Sequence, residues 1–195
     1  MTYTLYGSVR SRAFRVLWLM EELGLDYKQV DAGPQSEEVR QVSPLGKIPV
    51  LVDDTEVLRD SSAILTYLAD KHGAFTAPAG TVARAHQDAW TFRVLDEIDS
   101  VLWTASKHKF VLPEGERVPD VLASCQAEYA RNIARIGEQM DGPYLTGATP
   151  AVPDIILCHC LGWAQVAGFP KPGDKLAAYM ATLRDRPAYR AAAAR

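Results

Sequence analysis

The sequence predicts two units of different class, an α/β unit followed by an all-helical unit. Runs that suit β-strands occur only in the first third of the chain, where segments with helical spacing separate them. A short segment with Pro78 and small residues follows, and beyond it only long helical patterns remain. We therefore predict an α/β domain over 1–73, a linker over 74–81 and an all-helical domain over 82–195.

The first unit begins with alternating residues that predict a strand, followed by a helix whose apolar residues form one stripe and which Gly24 ends. A second glycine, Gly73, ends the last helix of the unit. The predicted elements are a strand over 2–6, a helix over 11–23, a strand over 27–31, a polar connection over 34–44, a hairpin of 48–52 and 56–59, and a helix over 62–72. This βαβ-ββα order is that of a thioredoxin-like unit.

The second unit contains no further strand pattern. Its apolar spacing predicts helices over 82–110, 119–140, 154–168 and 175–183. The segment 154–168 is apolar on nearly all sides, so we expect it to be the central buried helix.

Composition excludes several classes of function. A formal net charge of −3 gives no electrostatic reason to expect nucleic acid or an anionic membrane as a partner. The sequence shows neither a long apolar run nor a signal-peptide pattern, and we expect a soluble, cytoplasmic protein.

Cysteine and histidine have no spacing typical of a disulfide framework or a metal site, so we expect no metal. The cysteines are interpreted as small core residues and the histidines as structural or surface residues. These residues are Cys125, Cys158, Cys160, His86, His108 and His159.

The most informative stretch runs from Ser43 to Asp70. Taken singly, its features have structural explanations: Pro49 fits the first residue of a strand, and Asp60 or Ser61 fits a helix N-cap. Taken together, they form one pattern, which consists of Ser43-Pro44, Gly46, Ile48-Pro49, Leu51, Asp60-Ser61, Ala63-Ile64 and Tyr67-Leu68.

This pattern resembles the glutathione-binding half of the soluble glutathione S-transferases. The resemblance implies a cis Ile48-Pro49 bond, with Ile48 presenting its backbone to the cysteinyl part of glutathione. It implies that Asp60 and Ser61 receive the γ-glutamyl end, where a helix N-terminus suits a carboxylate. Lys47 is placed to meet the glycyl carboxylate, although a solvated loop lysine explains it equally well.

The second half is similar to the helical domain of the same family. The similarity rests on Tyr144-Leu145-Thr146-Gly147, on the helix led by Asp154, and on Arg186-Pro187-Ala188-Tyr189. One position departs from the family: Ala151 stands where a capping Ser or Thr is usual. We therefore expect Asp154 to cap the helix alone or to bond elsewhere, with a consequence for stability rather than activity.

Glutathione transfer needs a thiolate, and a hydroxyl at the start of the first helix can stabilise one. Three hydroxyls are available, on Tyr6, Ser8 and Ser11. Ser11 is favoured because it stands four residues before Arg15, as in the serine-type classes of the family, and at the helix start. Tyr6 and Ser8 remain alternatives, and no cysteine lies in 6–12 to support the cysteine-type branches.

The resemblance also implies an electrophile site between the two domains. We expect Ser8 and Arg10 to line it from the first domain, and Trp103 and Lys107 from the first long helix of the second, with Phe110 as a further candidate. It implies a homodimer, since in this family the start of the second domain packs against the partner's first.

The predicted function is conjugation of glutathione to small hydrophobic electrophiles, as in detoxification. Two alternatives remain open at this point. One is a non-catalytic glutathione-binding protein of the same fold, and the other is a glutathione-dependent isomerase or peroxidase.

Overall fold

The computed structural model describes residues 3–195, so Met1 and Thr2, the latter the first residue of the predicted strand over 2–6, lie outside the described residues. The chain divides into two compact units. The first contains the residues up to Thr81 together with Leu183–Arg195, and the second is Val82–Thr182. The predicted second domain extended to residue 195, so the structure differs in placing the C-terminal segment with the first unit.

A four-stranded mixed sheet forms the centre of the first unit. Its strands are β1 (Tyr3–Tyr6), β2 (Tyr27–Val30), β3 (Val50–Asp53) and β4 (Glu56–Arg59), in the spatial order β2-β1-β3-β4. β1 is parallel to β2, and β3 is antiparallel to both β1 and β4. The predicted thioredoxin-like arrangement is confirmed.

Three helices accompany these strands: α1 (Ala13–Glu22), α2 (Glu37–Val42) and α3 (Ser61–His72). α3 ends at Gly73, which adopts a left-handed conformation with a φ of 64°. α2 lies inside the predicted polar connection. Ser36 caps it by accepting a hydrogen bond from the amide of Val39, the only residue of α2 that is buried.

The second unit is entirely helical in its regular structure. Its α-helices are α4 (Val82–Val94), α5 (Ser100–Ser106), α6 (Val121–Gln139), α7 (Val152–Ala167) and α8 (Asp174–Arg184), the last of which runs two residues into the first unit. π-helical turns at Leu95–Asp99 and Lys107–Val111 interrupt the long helix that was predicted over 82–110. Across residues 3–195, no helix combines the length and apolar character needed to cross a bilayer.

Asp154 organises the start of the buried helix α7. Its carboxylate accepts hydrogen bonds from the amides of Ala151, at 2.8 Å, and Leu145, at 2.9 Å, and from the Tyr179 hydroxyl, at 2.8 Å. Burial of this fully enclosed group raises its pKa to about 6, against the lowering effect of these donors. Asp154 thus joins the segments that contain Leu145, Ala151 and Tyr179. Ala151 makes no side-chain bond of this kind because it has no polar side chain.

A further helix, α9 (Pro187–Ala193), was not predicted. Tyr189 packs edge-on against Phe14 and Trp18 of α1, with ring centroids 5.1 and 5.0 Å away. Arg186 donates to Glu22 Oε2 at 2.7 Å beside this contact. These contacts explain why the last residues belong to the first unit.

Candidate functional site

Strand register brings three of the predicted segments to one edge of the sheet. Val50, the first residue of β3, pairs with Tyr6 at the end of β1 and with Arg59 at the end of β4. The loop that follows β1, the Ile48-Pro49 bond that precedes β3 and the Asp60-Ser61 pair that follows β4 therefore lie at the same edge.

Gly7 shows how closely the first two of these segments approach each other. Its φ is 144°, and a Cβ built on it would lie 2.6 Å from the Cβ of Ala13 and 3.5 Å from the Cβ of Ile48. Only glycine fits such a position without strain. The turn into α1 is thereby packed against Ile48.

The Ile48-Pro49 peptide bond is cis, as the resemblance implied. Pro49 is buried and Ile48 is half-buried, packed against the cluster around Val39 and Val50. Lys47, the residue before them, is exposed.

Asp60 is the N-cap of α3 and is itself exposed. Its Oδ1 accepts hydrogen bonds from the amides of Ser62, at 2.8 Å, and Ala63, at 3.1 Å. Its φ of 71° lies in the left-handed region, which Asp tolerates better than most residues. The carboxylate therefore stands at the mouth of the helix, where it adds negative charge to a position that otherwise favours anions.

Ser61 follows directly and is 2% exposed. Its hydroxyl oxygen accepts a hydrogen bond from Nη1 of Arg15 at 3.3 Å, and Arg15 is completely buried. In the sequence, Arg15 contributes only to the spacing that favours Ser11. The missed signal was that α1 is apolar on almost every side, so that an arginine in its first turns had little exposed surface to occupy.

Ser11 stands at the start of α1 and is half-buried. Its hydroxyl donates to the Ser8 carbonyl at 2.8 Å, and the same oxygen accepts from the Ala13 amide at 3.1 Å. The second bond fulfils the structural role of a cap. It also polarises the hydroxyl toward donation, because an oxygen that accepts a hydrogen bond becomes a better donor.

The two rival hydroxyls differ in their surroundings. Tyr6 packs with Val39 and Val50 on the face of the sheet that α2 covers, while its neighbour Leu5 faces the other side of the sheet. Ser8 is half-buried and holds Ser11 through its carbonyl. Arg10, at the tip of this loop, is exposed.

The remaining candidates lie in the second unit. Trp103, in α5, is 37% exposed, and Phe110, in the π-helical turn that follows α5, is 63% exposed. Lys107 begins the same turn and is half-buried. All three lie within a span of eight positions on one continuous helical segment.

Comparison with protein families identifies a match over residues 5–78 to the glutathione S-transferase N-terminal domain. The match covers the sheet from Leu5 onward and all of the segments at its edge.

Two relatives span most of the chain. A disulfide-bond oxidoreductase of Escherichia coli, YfcG, is 28% identical over 94% of this chain and 91% of its own length. Glutathione S-transferase Z2 of Arabidopsis thaliana is 30% identical over 65% of this chain and 67% of its own length.

A solved structure agrees with these matches. The theta class glutathione S-transferase from Xanthomonas axonopodis pv. citri, crystallised with glutathione bound, superposes with a TM-score of 0.81 at 28% identity. The superposition covers 97% of this chain and 96% of that one.

Proposed function

Because this chain belongs to the glutathione S-transferase family, we propose that it binds glutathione at the described sheet edge and transfers it to small hydrophobic electrophiles. The observation that carries this proposal is the strand register, which gathers the start of α1, the Ile48-Pro49 bond and the Asp60-Ser61 pair at one edge.

Each part of glutathione has a chemically suitable group at this edge. The backbone of Ile48, held beside the buried Pro49, pairs with the cysteinyl residue as a neighbouring strand would. Ser61 and the N-terminus of α3 suit the α-carboxylate of the γ-glutamyl residue, and Asp60 suits its ammonium group. Lys47 is exposed and long enough to meet the glycyl carboxylate.

The catalytic step we propose is direct attack by the glutathione thiolate. The thiol loses its proton to water, the sulfur forms a bond to the electrophilic carbon, and the bond from that carbon to the leaving group breaks, with the leaving group keeping its electron pair. The Ser11 hydroxyl donates to the sulfur and so favours the thiolate over the thiol. Its bond from the Ala13 amide supports this role because it leaves the hydroxyl proton free to turn from Ser8 to the sulfur.

The electrophile is expected to contact Ser8 and Arg10 from the loop after β1, and Trp103 and Lys107 from the second unit. Partly exposed aromatic and apolar side chains favour a hydrophobic acceptor. We further propose a cytoplasmic homodimer. The exposure of Val82, at 74%, and Phe92, at 66%, on α4 supports the dimer, since a partner copy would cover them.

A titration with glutathione tests the proposal when ultraviolet thiolate absorbance and conjugation of a chlorodinitrobenzene are followed together. We expect saturable binding, a thiol pKa below that of free glutathione, and turnover. Binding without a lowered thiol pKa would instead identify a non-catalytic binding protein. Turnover of a maleyl-type substrate without loss of glutathione would identify an isomerase, and turnover of a hydroperoxide a peroxidase.

The similarity to the Escherichia coli oxidoreductase favours a second candidate, glutathione-dependent disulfide reduction. In this reaction two glutathione thiols become glutathione disulfide and the substrate disulfide becomes two thiols. Because 6–12 contains no cysteine, the attacking thiolate would have to be that of glutathione itself. A coupled assay with hydroxyethyl disulfide and glutathione reductase distinguishes this activity from conjugation.

A further inference from the structure

Arg15 is a buried charged residue that the proposed reaction leaves without a role. It is fully enclosed in the first unit, where an ion loses most of its hydration. Its Nη1 nevertheless contacts Ser61, the first residue of α3, across 46 positions of sequence. Arg15 therefore connects the start of α1, where Ser11 lies, to the start of α3.

The contact determines what the Ser61 hydroxyl can do. A serine hydroxyl has one proton to donate and two lone pairs that accept. Arg15 occupies a lone pair, and a guanidinium has no acceptor of its own to receive the proton. The Ser61 proton must therefore point to another acceptor, and a carboxylate is the strongest acceptor that a ligand can offer.

The charge of Arg15 adds to this effect. Asp60 already occupies the amides of Ser62 and Ala63, so its carboxylate offsets part of the positive potential at the start of α3. A guanidinium beside Ser61 restores a positive field at the floor of the same site. In a region of low dielectric such a field acts more strongly than it would in water.

We propose that Arg15 is a positioning residue that sets the site's preference for a ligand α-carboxylate by holding the Ser61 hydroxyl as a donor. This inference rests on the proposed function, because it assigns that carboxylate to the γ-glutamyl residue of glutathione. Arg15 does not touch the ligand and acts through Ser61.

Two unreactive ligands that differ only in this carboxylate provide the test. One is S-methylglutathione, and the other is S-methyl 4-aminobutyryl-cysteinyl-glycine, which retains the amine and lacks the α-carboxylate. Dissociation constants from calorimetry give the preference for the first ligand. We expect about a tenfold preference or more in the unaltered protein, the value of a hydrogen bond to a charged group. In Arg15→Met the preference should fall to about twofold or less.

Ser61→Ala should lose the preference as well, and adding Arg15→Met to it should have little further effect, because the two residues act through one contact. A matched control is Arg186→Met, which removes an arginine from the opposite end of α1, where it pairs with Glu22. It should lower the melting temperature and leave the preference unchanged, which separates loss of stability from loss of recognition.

Two results overturn the proposal. One is an unchanged preference in a folded Arg15→Met protein, including the case in which the affinity for both ligands falls equally, and the other is an unchanged preference in Ser61→Ala. If Arg15→Met does not fold, Arg15→Leu replaces it with the same criterion, because leucine likewise has no donor for the Ser61 hydroxyl oxygen. Failure of the unaltered protein to bind S-methylglutathione at all would instead refute the proposed function.

Discussion

Replacement of Ser11 by alanine tests the proposed chemistry most directly. The hydroxyl would give the thiolate a charge-assisted hydrogen bond worth about 1.5–3 kcal/mol. To do so, its proton must leave the Ser8 carbonyl, which it contacts at 2.8 Å, at a cost of about 1 kcal/mol. The net preference for the thiolate is then about 0.5–2 kcal/mol, which corresponds to about 0.4–1.5 units of thiol pKa.

We therefore expect Ser11→Ala to raise the pKa of enzyme-bound glutathione by that amount. At pH near 6.5 the thiolate population, and with it the conjugation rate, should fall about two- to thirtyfold. The defect should shrink as the pH rises, because hydroxide then ionises the thiol without help. Affinity for S-methylglutathione should change little, and the lost bond from the Ala13 amide should lower stability by about 0.5–1 kcal/mol.

The assay is a pH series of conjugation rates together with direct titration of the bound thiol by ultraviolet absorbance. Tyr6→Phe is the matched control, because it removes the rival hydroxyl at the end of β1, five residues before Ser11. It should behave like the unaltered protein, because Tyr6 packs with Val39 on the other face of the sheet from Leu5. Loss of activity in Tyr6→Phe with normal activity in Ser11→Ala would show that Tyr6, and not Ser11, stabilises the thiolate.

Three further predictions concern other parts of the molecule. Asp60→Asn keeps an oxygen that can cap α3 but loses the charge, so the dissociation constant of glutathione in calorimetry should rise about ten- to a hundredfold with little change in melting temperature; an unchanged affinity would make Asp60 a cap only. Burial raises the Asp154 pKa to about 6, above its value of about 3.9 in the unfolded chain, so the native state holds this proton more tightly and the group's contribution to stability is lost as pH rises from about 4 to 6. Urea unfolding should accordingly show the advantage of the unaltered protein over Asp154→Asn to be larger at pH 4 than at pH 7, by about 2 kcal/mol, and a constant difference would contradict this. Phe92→Glu should convert the proposed dimer to a monomer in light scattering, whereas Val166→Glu, at a 91% exposed position of α7, should not; a dimer that survives Phe92→Glu argues against the α4 surface as the interface.

The sequence predicted most elements whose ends carry a strong local signal. Gly24 and Gly73 ended helices where expected, and the mixed sheet follows from the order of strands and helices. α2 was missed because it buries Val39 alone, and a helix with one buried residue has no apolar period to detect. Ser36 followed by two glutamates was the available signal.

α9 was missed even though its local sequence suits a helix. Alanine, which makes up four of its seven residues, has the highest helix propensity, and Pro187 suits the first turn of a helix. What fixes α9 is the contact of Tyr189 with α1, which joins positions far apart in the sequence. Local patterns carry no information about such pairings.

The candidate site was likewise predicted in part, since some of its features are local in sequence and others depend on packing. Its segments could be identified from the motif, because Pro49, Asp60 and Ser61 are defined by their neighbours in the chain. The contact between Arg15 and Ser61 depends on how α1 packs beside α3, and the orientation of Tyr6 depends on which side of the sheet α2 covers. Strand alternation places Tyr6 and Leu5 on opposite faces of the sheet, but it does not indicate which of the two faces α2 covers.

The packing of α9 on α1 has a consequence for the order in which the chain can reach its native state. A ribosome delivers the sheet and α1–α3 first, then the whole of the helical unit, and only then Tyr189. Until that moment Phe14 and Trp18 lack the ring that packs against both of them. The first unit, which is synthesised first, is therefore the last to be completed. A fragment that stops at Thr81 would carry an uncovered aromatic surface on α1.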